Sequence, residues 1–317
     1  MITATIFSAI AIAATPAAFT LEDDGEIVRI MEDGRPVLVY NYTMVEPPRG
    51  VDSDRYARAS YIHPLYGVEG DVLTQDFPSD HYHHRGVYWT WPLIEVGDRP
   101  LDLWSVEDGH QVFEEWTKRE LEDDSVTIAV QNGWRFRGEE ESVVREDIEF
   151  VVHPVENGAR SIDFTLTFTN ICDDPVSILG AEGKGYGGFC FRPDANRKPM
   201  NFTTKDGPRK RGRDALQYDT PWADVSMDLP SEEGEESPGM SGVAIFQHPS
   251  NPEFPFDGWI LRHYGFLGAS WPHEKPFTMQ PGESFTLRYR LYVHAGNAQA
   301  ANVAQAWQHY LNEQKNQ

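Results

Sequence analysis

Apolar and polar residues alternate along much of this chain. In Ser161–Thr169, Ile162, Phe164, Leu166 and Phe168 are separated by Asp163 and threonines. Phe285–Val293 repeats the pattern with Arg288 and Arg290 on the opposite side. Alternation of this kind places one face of a strand on a core and the other in solvent. Further strands are predicted over Glu26–Ile30, Pro36–Tyr42, Ser125–Asn132, Val143–Val152, Gly242–Gln247 and Gly258–Arg262. Turn sequences such as Asp33-Gly34, Asn157-Gly158 and Pro281-Gly282 separate them. Only the C-terminus carries helical spacing, with Val303, Ala306, Trp307, Tyr310 and Leu311 recurring in Ala300–Gln314. Many antiparallel strands and one terminal helix predict an all-β sandwich or barrel. With no fixed-period repeat and no Gly/Ser linker, residues 19–317 read as a single β-sandwich domain.

Composition agrees and narrows the function. At 317 residues, 40% hydrophobic and with nine tryptophans, the chain can build one large core. Its formal net charge of -23 argues against nucleic-acid partners, because a polyanion is repelled at long range. The apolar start Met1–Ala14, followed by Thr15-Pro16-Ala17-Ala18, suits a secretory signal over residues 1–18, although it lacks a basic n-region. A periplasmic or secreted location is therefore expected, with a cytoplasmic one as the alternative. No other apolar run approaches the ~20 residues of a membrane helix, so no membrane span is expected. Cys172 and Cys190 form no disulfide framework, and sequence leaves open whether they are joined. Two loops concentrate charge: Lys205, Arg209, Lys210, Arg211 and Arg213 in one, and Glu232, Glu233, Glu235 and Glu236 in the other. Both read as solvated loops, and the basic one also offers a way to draw an anionic substrate to one edge.

The candidate chemistry centres on Asp80-His81-Tyr82-His83-His84-Arg85-Gly86, which precedes the aromatic run Tyr88-Trp89-Thr90-Trp91. A metal is one reading: on a strand, His81 and His83 would share a face and reach one ion. Their spacing matches no helical zinc motif. Acid–base chemistry is the stronger reading. A histidine held by Asp80 and flanked by Arg85 is placed to move a proton, and the arginine can bind a carboxylate or stabilise developing charge. His81, His83, His84 and Arg85 are thus the catalytic candidates. Trp89 and Trp91 offer aromatic faces to a sugar ring, with some of these aromatics expected in the core. Glu182, Lys184 and Tyr186 lie in the glycine-rich Gly180–Phe189, where backbone can approach a ligand. That stretch lacks the ending of a P-loop. His248 sits in a loop stiffened by Pro249 and Pro252. No Gly-x-Ser-x-Gly elbow is present.

The blocks Tyr61-Ile62-His63-Pro64-Leu65-Tyr66-Gly67 and Val72–Gly86 resemble the bacterial family called methane oxygenase PmoA. Asp102-Leu103-Trp104, Gly185–Arg192, Gly242–Pro252 and Trp259 extend the resemblance over Phe19 to Gly296. It implies an exported protein of polysaccharide-degrading bacteria, with an architecture resembling the β-supersandwich of galactose mutarotase and other aldose 1-epimerases. In that wider group a histidine and a carboxylate move protons on a sugar at a concave sheet face. Carried onto this chain, the resemblance implies a counterpart to the epimerase His-Gly block in His83–Gly86. The epimerase glutamate has no aligned counterpart here, and Glu182 is chosen as the carboxylate from the glycine-rich stretch. From the residues themselves, His63, Asp80, Lys184, Tyr186 and His248 are expected as further substrate contacts.

The expected function is a carbohydrate-active enzyme of lyase, hydrolase or epimerase type, working on a sugar, anionic if the basic loop takes part. Its chemistry would be histidine-centred and need no cofactor. The alternatives are a metal-dependent oxidoreductase with His81 and His83 as ligands, and a non-catalytic sugar-binding module.

Overall fold

The computed structural model describes residues 18–231 and 236–315. The signal expected over residues 1–18 therefore falls outside the described residues except for Ala18, as do Glu232, Glu233 and Glu235.

Two large antiparallel sheets form the protein. The first has eight strands in the spatial order Phe19–Asp23, Ile27–Glu32, Arg35–Asn41, Tyr61–Leu65, Val87–Thr90, Gly188–Phe191, Phe266–Ala269 and Trp259–Arg262. The second has nine: Gly207–Pro208, Asn201–Thr204, Trp222–Asp228, Met240–Gln247, Ser284–Ala295, Ala159–Asn170, Val144–Glu156, Val126–Phe136 and Gly109–Leu121. A four-stranded sheet (Phe277–Met279, Val176–Leu179, Leu93–Val96, Arg99–Pro100) completes the fold.

The period-two pattern explains how the large sheets meet. Phe164, Leu166 and Phe168 of one strand and Leu287, Tyr289 and Leu291 of its neighbour point to the same side, where they join Val87, Trp89, Phe189 and Leu267 of the other sheet in one core. Phe189 lies 4.7 Å from the Tyr289 ring and 5.2 Å from Phe164. Within this core Glu146 is fully buried. Its Oε1 accepts from Ser60 Oγ (3.1 Å), Trp89 Nε1 (3.0 Å) and Asn132 Nδ2 (2.9 Å). Its Oε2 accepts from Gln111 Nε2 and Trp134 Nε1, both at 2.7 Å.

The all-β expectation holds, and the helix lies over Val303–Lys315, packing Trp307 and Tyr310 on Phe246 of the nine-stranded sheet. No helix among the described residues is long and apolar enough to cross a membrane. Cys172 and Cys190 are both free thiols. The 13-residue strand Gly109–Leu121 escapes the alternation rule because register shifts at Phe113/Glu115 and Trp116/Lys118 break the period.

Candidate active site on the outer face of the eight-stranded sheet

The short strands Val87–Thr90, Gly188–Phe191 and Phe266–Ala269 are buried on both faces. Their inner face meets the other sheet. On the outer face Tyr61, Tyr88, Cys190, Ile260 and Phe266 form a second cluster with Trp104 and Tyr186, and Tyr264 packs against it. The strand after the histidine block therefore divides its aromatics. Tyr88 faces the outer cluster, whereas Trp89 and the following Trp91 lie in the inter-sheet core with no exposure. Trp89 donates to Glu146, and Trp91 Nε1 donates to the Trp271 carbonyl at 2.7 Å. With both rings fully buried between the sheets, neither offers a face to a sugar, which corrects the expectation of a sugar platform at these positions.

The histidine block is not a strand. Its backbone makes two successive turns, with the His81 N–H donating to the Pro78 carbonyl and the His84 N–H to the His81 carbonyl, both at 2.9 Å. The strand rule that put His81 and His83 on one face does not apply. The ring centroids of His83 and His84 are 4.6 Å apart, as are those of His81 and His84, while His81 and His83 are 5.7 Å apart. Gly86 lets the loop join the sheet, since a Cβ there would fall 2.2 Å from the Ile62 carbonyl oxygen.

Arg85 fastens this loop from beneath. Its Nη1 donates to the carbonyls of Tyr82 and His84, its Nη2 to that of Tyr56, and its Nε lies 3.4 Å from Asp76 Oδ1. Its guanidinium stacks 3.4 Å from the centroid of Phe77. With both Nη groups engaged by backbone carbonyls and its Nε against Asp76, Arg85 is placed to hold the loop and has no free donor for the substrate contact expected from the sequence.

A different arginine addresses the histidines. Arg192, at the end of the Gly188–Phe191 strand, donates from Nη1 to His84 Nδ1 at 3.3 Å and from Nη2 to Asp80 Oδ1 at 3.0 Å. A guanidinium only donates, so His84 Nδ1 is the acceptor and its proton sits on Nε2. Burial, with His83 and Arg192 beside it, holds His84 well below the usual histidine range. Burial pushes the Asp80 carboxyl up, but Arg192 and His81 outweigh it and leave it low.

His83 is half-buried, and no described residue hydrogen-bonds to either ring nitrogen. Burial and then Arg58, His81 and Arg85 push its pKa down to about 3. It is a neutral imidazole open to the outside. Its ring lies 6.0 Å from Trp104. His81 stacks nearly parallel on Tyr264, centroids 5.1 Å apart. The Tyr264 hydroxyl is 3.3 Å from that of Tyr186, which also receives Arg262 Nη1 at 2.7 Å. Burial and the Tyr186 hydroxyl raise the Tyr264 pKa, so this phenol is protonated.

His63 borders the same face. Thr74 Oγ1 accepts from the Leu65 N–H at 3.0 Å and shares a hydrogen bond with His63 Nδ1 at 2.9 Å. Tyr186 lies inside the outer-face cluster. Glu182 and Lys184, on the turn just before it, are exposed and make no hydrogen bond with the site residues. His248 lies elsewhere, bonded to Gln314 of the C-terminal helix at 2.7 Å and to Ser250, so it contributes nothing here. In the basic loop, Lys205 pairs with Asp219 and Arg209 covers Tyr218. Asp214, at the loop's end, ties it to Arg262 and His263 at the site.

A metal reading fits these rings poorly. His81 and His84 lie 10° from parallel, so their ring planes do not meet at a common ion. Among the described residues no three His, Cys, Asp or Glu side chains are grouped to hold one. Arg192, Trp104, Tyr264 and Arg58 are site residues that sequence reasoning passed over. The available signal was a polar residue ending a wholly apolar strand, as Arg192 follows Phe189-Cys190-Phe191. A cleft of about 700 Å³ lies elsewhere, between the nine-stranded sheet and the C-terminal helix. Its charged groups satisfy one another: Asp163 binds His153 and Arg290, and Arg290 binds Glu313.

Fold and site together define an all-β protein of packed antiparallel sheets, with a histidine- and tyrosine-lined site on one outer face. The chain belongs to the family described as Family of unknown function (DUF6807), whose model matches residues 27–308. No curated protein matches it. Among solved structures it is similar to the galactosidase domain of alpha-galactosidase-sucrose kinase, AgaSK. The TM-score is 0.44 at 12% identity, over 88% of this chain and 42% of that one. It is also similar to heparan sulfate lyase HepC from Pedobacter heparinus, with a TM-score of 0.33 at 7% identity, over 89% of this chain and 36% of that one. The chain thus spans less than half the length of these structures.

Proposed function

We propose that this protein is a carbohydrate-active enzyme that moves a proton on a sugar bound at the outer face of the eight-stranded sheet. The observation that carries the reading is His83: an accessible, neutral imidazole whose ring nitrogens have no hydrogen-bond partner among the described residues, beside the indole of Trp104. A neutral imidazole can accept a proton. The protonated phenol of Tyr264, packed like His83 against His81, can supply one. Aromatic rings with polar edges suit the alternating C–H and O–H surfaces of a saccharide.

The carboxylates favour elimination or epimerisation over hydrolysis. Glycoside hydrolysis ordinarily uses two carboxyl groups flanking the scissile bond. Here Asp76 lies against Arg85 and Asp80 is bound by Arg192. Incubation with a panel of neutral, uronic and sulfated oligosaccharides in D2O, followed by mass and NMR analysis, tests the reading. Elimination creates a carbon–carbon double bond without adding water. Epimerisation by carbon deprotonation leaves the mass of protonated sugar unchanged but exchanges one carbon-bound proton for deuterium. Ring-opening epimerisation exchanges none and is read by NMR as accelerated interconversion of the anomers. Hydrolysis adds water. Binding with no chemical change of any of these kinds makes the protein a sugar-binding module and sinks the enzyme reading.

A further inference from the structure

We propose that the site takes a saccharide bearing an anionic group, a carboxylate or a sulfate, and that Arg58 is the residue that meets it. The proposal rests on the carbohydrate reading above and adds a substrate class to it.

Three arginines are buried at this face, and two of them have carboxylate partners. Arg85 has Asp76 and Arg192 has Asp80. Arg58, equally buried, has none among the described residues. Its Nη2 donates to the carbonyls of Leu103 and Trp104, at 2.6 and 2.7 Å, while its Nε and Nη1 have no partner. Asp102 acts on it only through space, its carboxylate being engaged by the Ser105 N–H at 2.8 Å. The guanidinium stands 5.5 Å from the centroid of the Tyr88 ring, whose hydroxyl is also buried and unpaired.

An uncompensated buried guanidinium with two idle nitrogens is unfavourable unless something completes it. Arg58 holds the backbone of Trp104, and the Trp104 ring stands over Tyr88 at 5.5 Å and beside His83 at 6.0 Å. A ligand lying on His83 and turning the indole aside meets the free guanidinium nitrogens and the Tyr88 hydroxyl together. Two N–H donors and a hydroxyl match the oxygens of a carboxylate or sulfate, not a neutral ring hydroxyl. Bound there, the anion sets its charge among Arg58, Arg85 and Arg192 and beside the proton acceptor His83.

The test uses the whole chain. Sodium sulfate is titrated at constant ionic strength while the His83 imidazole is followed by NMR, in the wild type and in Arg58→Gln and Arg58→Lys. Galactose, galacturonate and galactose 6-sulfate are then compared by calorimetry. The expected result is a saturable His83 shift that Arg58→Gln abolishes and Arg58→Lys partly keeps, with at least one acidic sugar bound about tenfold or more tighter than galactose. Whichever acidic sugar binds tighter identifies the anionic group. Should the Arg58 variants fail to fold, the wild-type comparison with competition by sulfate still decides. Equal affinity for neutral and acidic sugars overturns the proposal and leaves the carbohydrate reading standing. A sulfate response with no sugar binding supports the anion site and sinks the carbohydrate reading. No response to either overturns both.

Discussion

Arg192 Nη1 donates to His84 Nδ1 at 3.3 Å, and this contact sets the tautomer of a buried histidine. Because the guanidinium has no lone pair to offer, His84 must present its bare nitrogen to Arg192 and its N–H to the other side. The same arginine binds Asp80, which lies 3.0 Å from His81 Nδ1, so one side chain ties together two of the three histidines.

Nitrogen NMR of the imidazoles at pH 7 is therefore expected to show His84 neutral with its proton on Nε2. In Arg192→Met that tautomer preference is lost. If the sugar chemistry proposed above operates, kcat falls by about tenfold to a hundredfold with a smaller change in KM. An unchanged His84 spectrum in the variant would remove Arg192 from its positioning role.

The pH profile follows from His83. Its proton affinity is lowered by burial and by Arg58, His81 and Arg85, to a pKa of about 3. It is then neutral in the free protein throughout the neutral range, and kcat/KM is expected to show no inflection from His83 between pH 5 and 8. The unfolded chain, with a pKa near 6.5, binds more protons than the folded one between these two values. This group's contribution to stability is therefore present above about pH 6.5 and is lost as pH falls towards 3. A His83 titration near 6.5, followed by NMR in the folded protein, would contradict the electrostatic picture.

Glu146 offers a stability test remote from the chemistry. Five donors converge on its carboxylate, so the NH2 of Glu146→Gln would face donors it cannot satisfy. A loss of about 3 kcal/mol is expected in chemical denaturation. Burial raises the Glu146 pKa despite these hydrogen bonds. This residue's contribution to stability is thus largest below about pH 4.5 and is lost as pH rises through its folded pKa.

Arg85→Lys separates architecture from binding. A lysine cannot reproduce the bonds to three carbonyls, the contact with Asp76 and the stacking on Phe77. The expected effect is a loss of about 2–4 kcal/mol of stability and a loosened histidine loop, read by denaturation and hydrogen exchange. Full stability with selectively weakened ligand binding would restore the substrate-contact role inferred from sequence.

The long strands and the terminal helix were legible in the sequence because Ile162–Phe168 and Val303–Leu311 keep a strict period. The site was legible only in part. His81, His83 and His84 stood out by residue type, but the turns at Pro78–His81 and His81–His84 cancel the alternation on which their facing was judged. Trp89 and Arg85 carried plausible chemistry and are buried, one in the inter-sheet core and one under its own loop. Arg192 and Tyr264 lie far from the histidines along the chain and are brought to them by the pairing of Gly188–Phe191 with Val87–Thr90 and Phe266–Ala269, while Arg58 reaches the site through the carbonyls of Leu103 and Trp104; no local pattern records either.

The most direct test of the central claim compares wild type with His83→Gln on an oligosaccharide that the wild type converts, in D2O. The account predicts at least about a hundredfold loss of turnover and of deuterium incorporation in a variant whose unfolding midpoint is unchanged. Full turnover by a folded His83→Gln protein would contradict it.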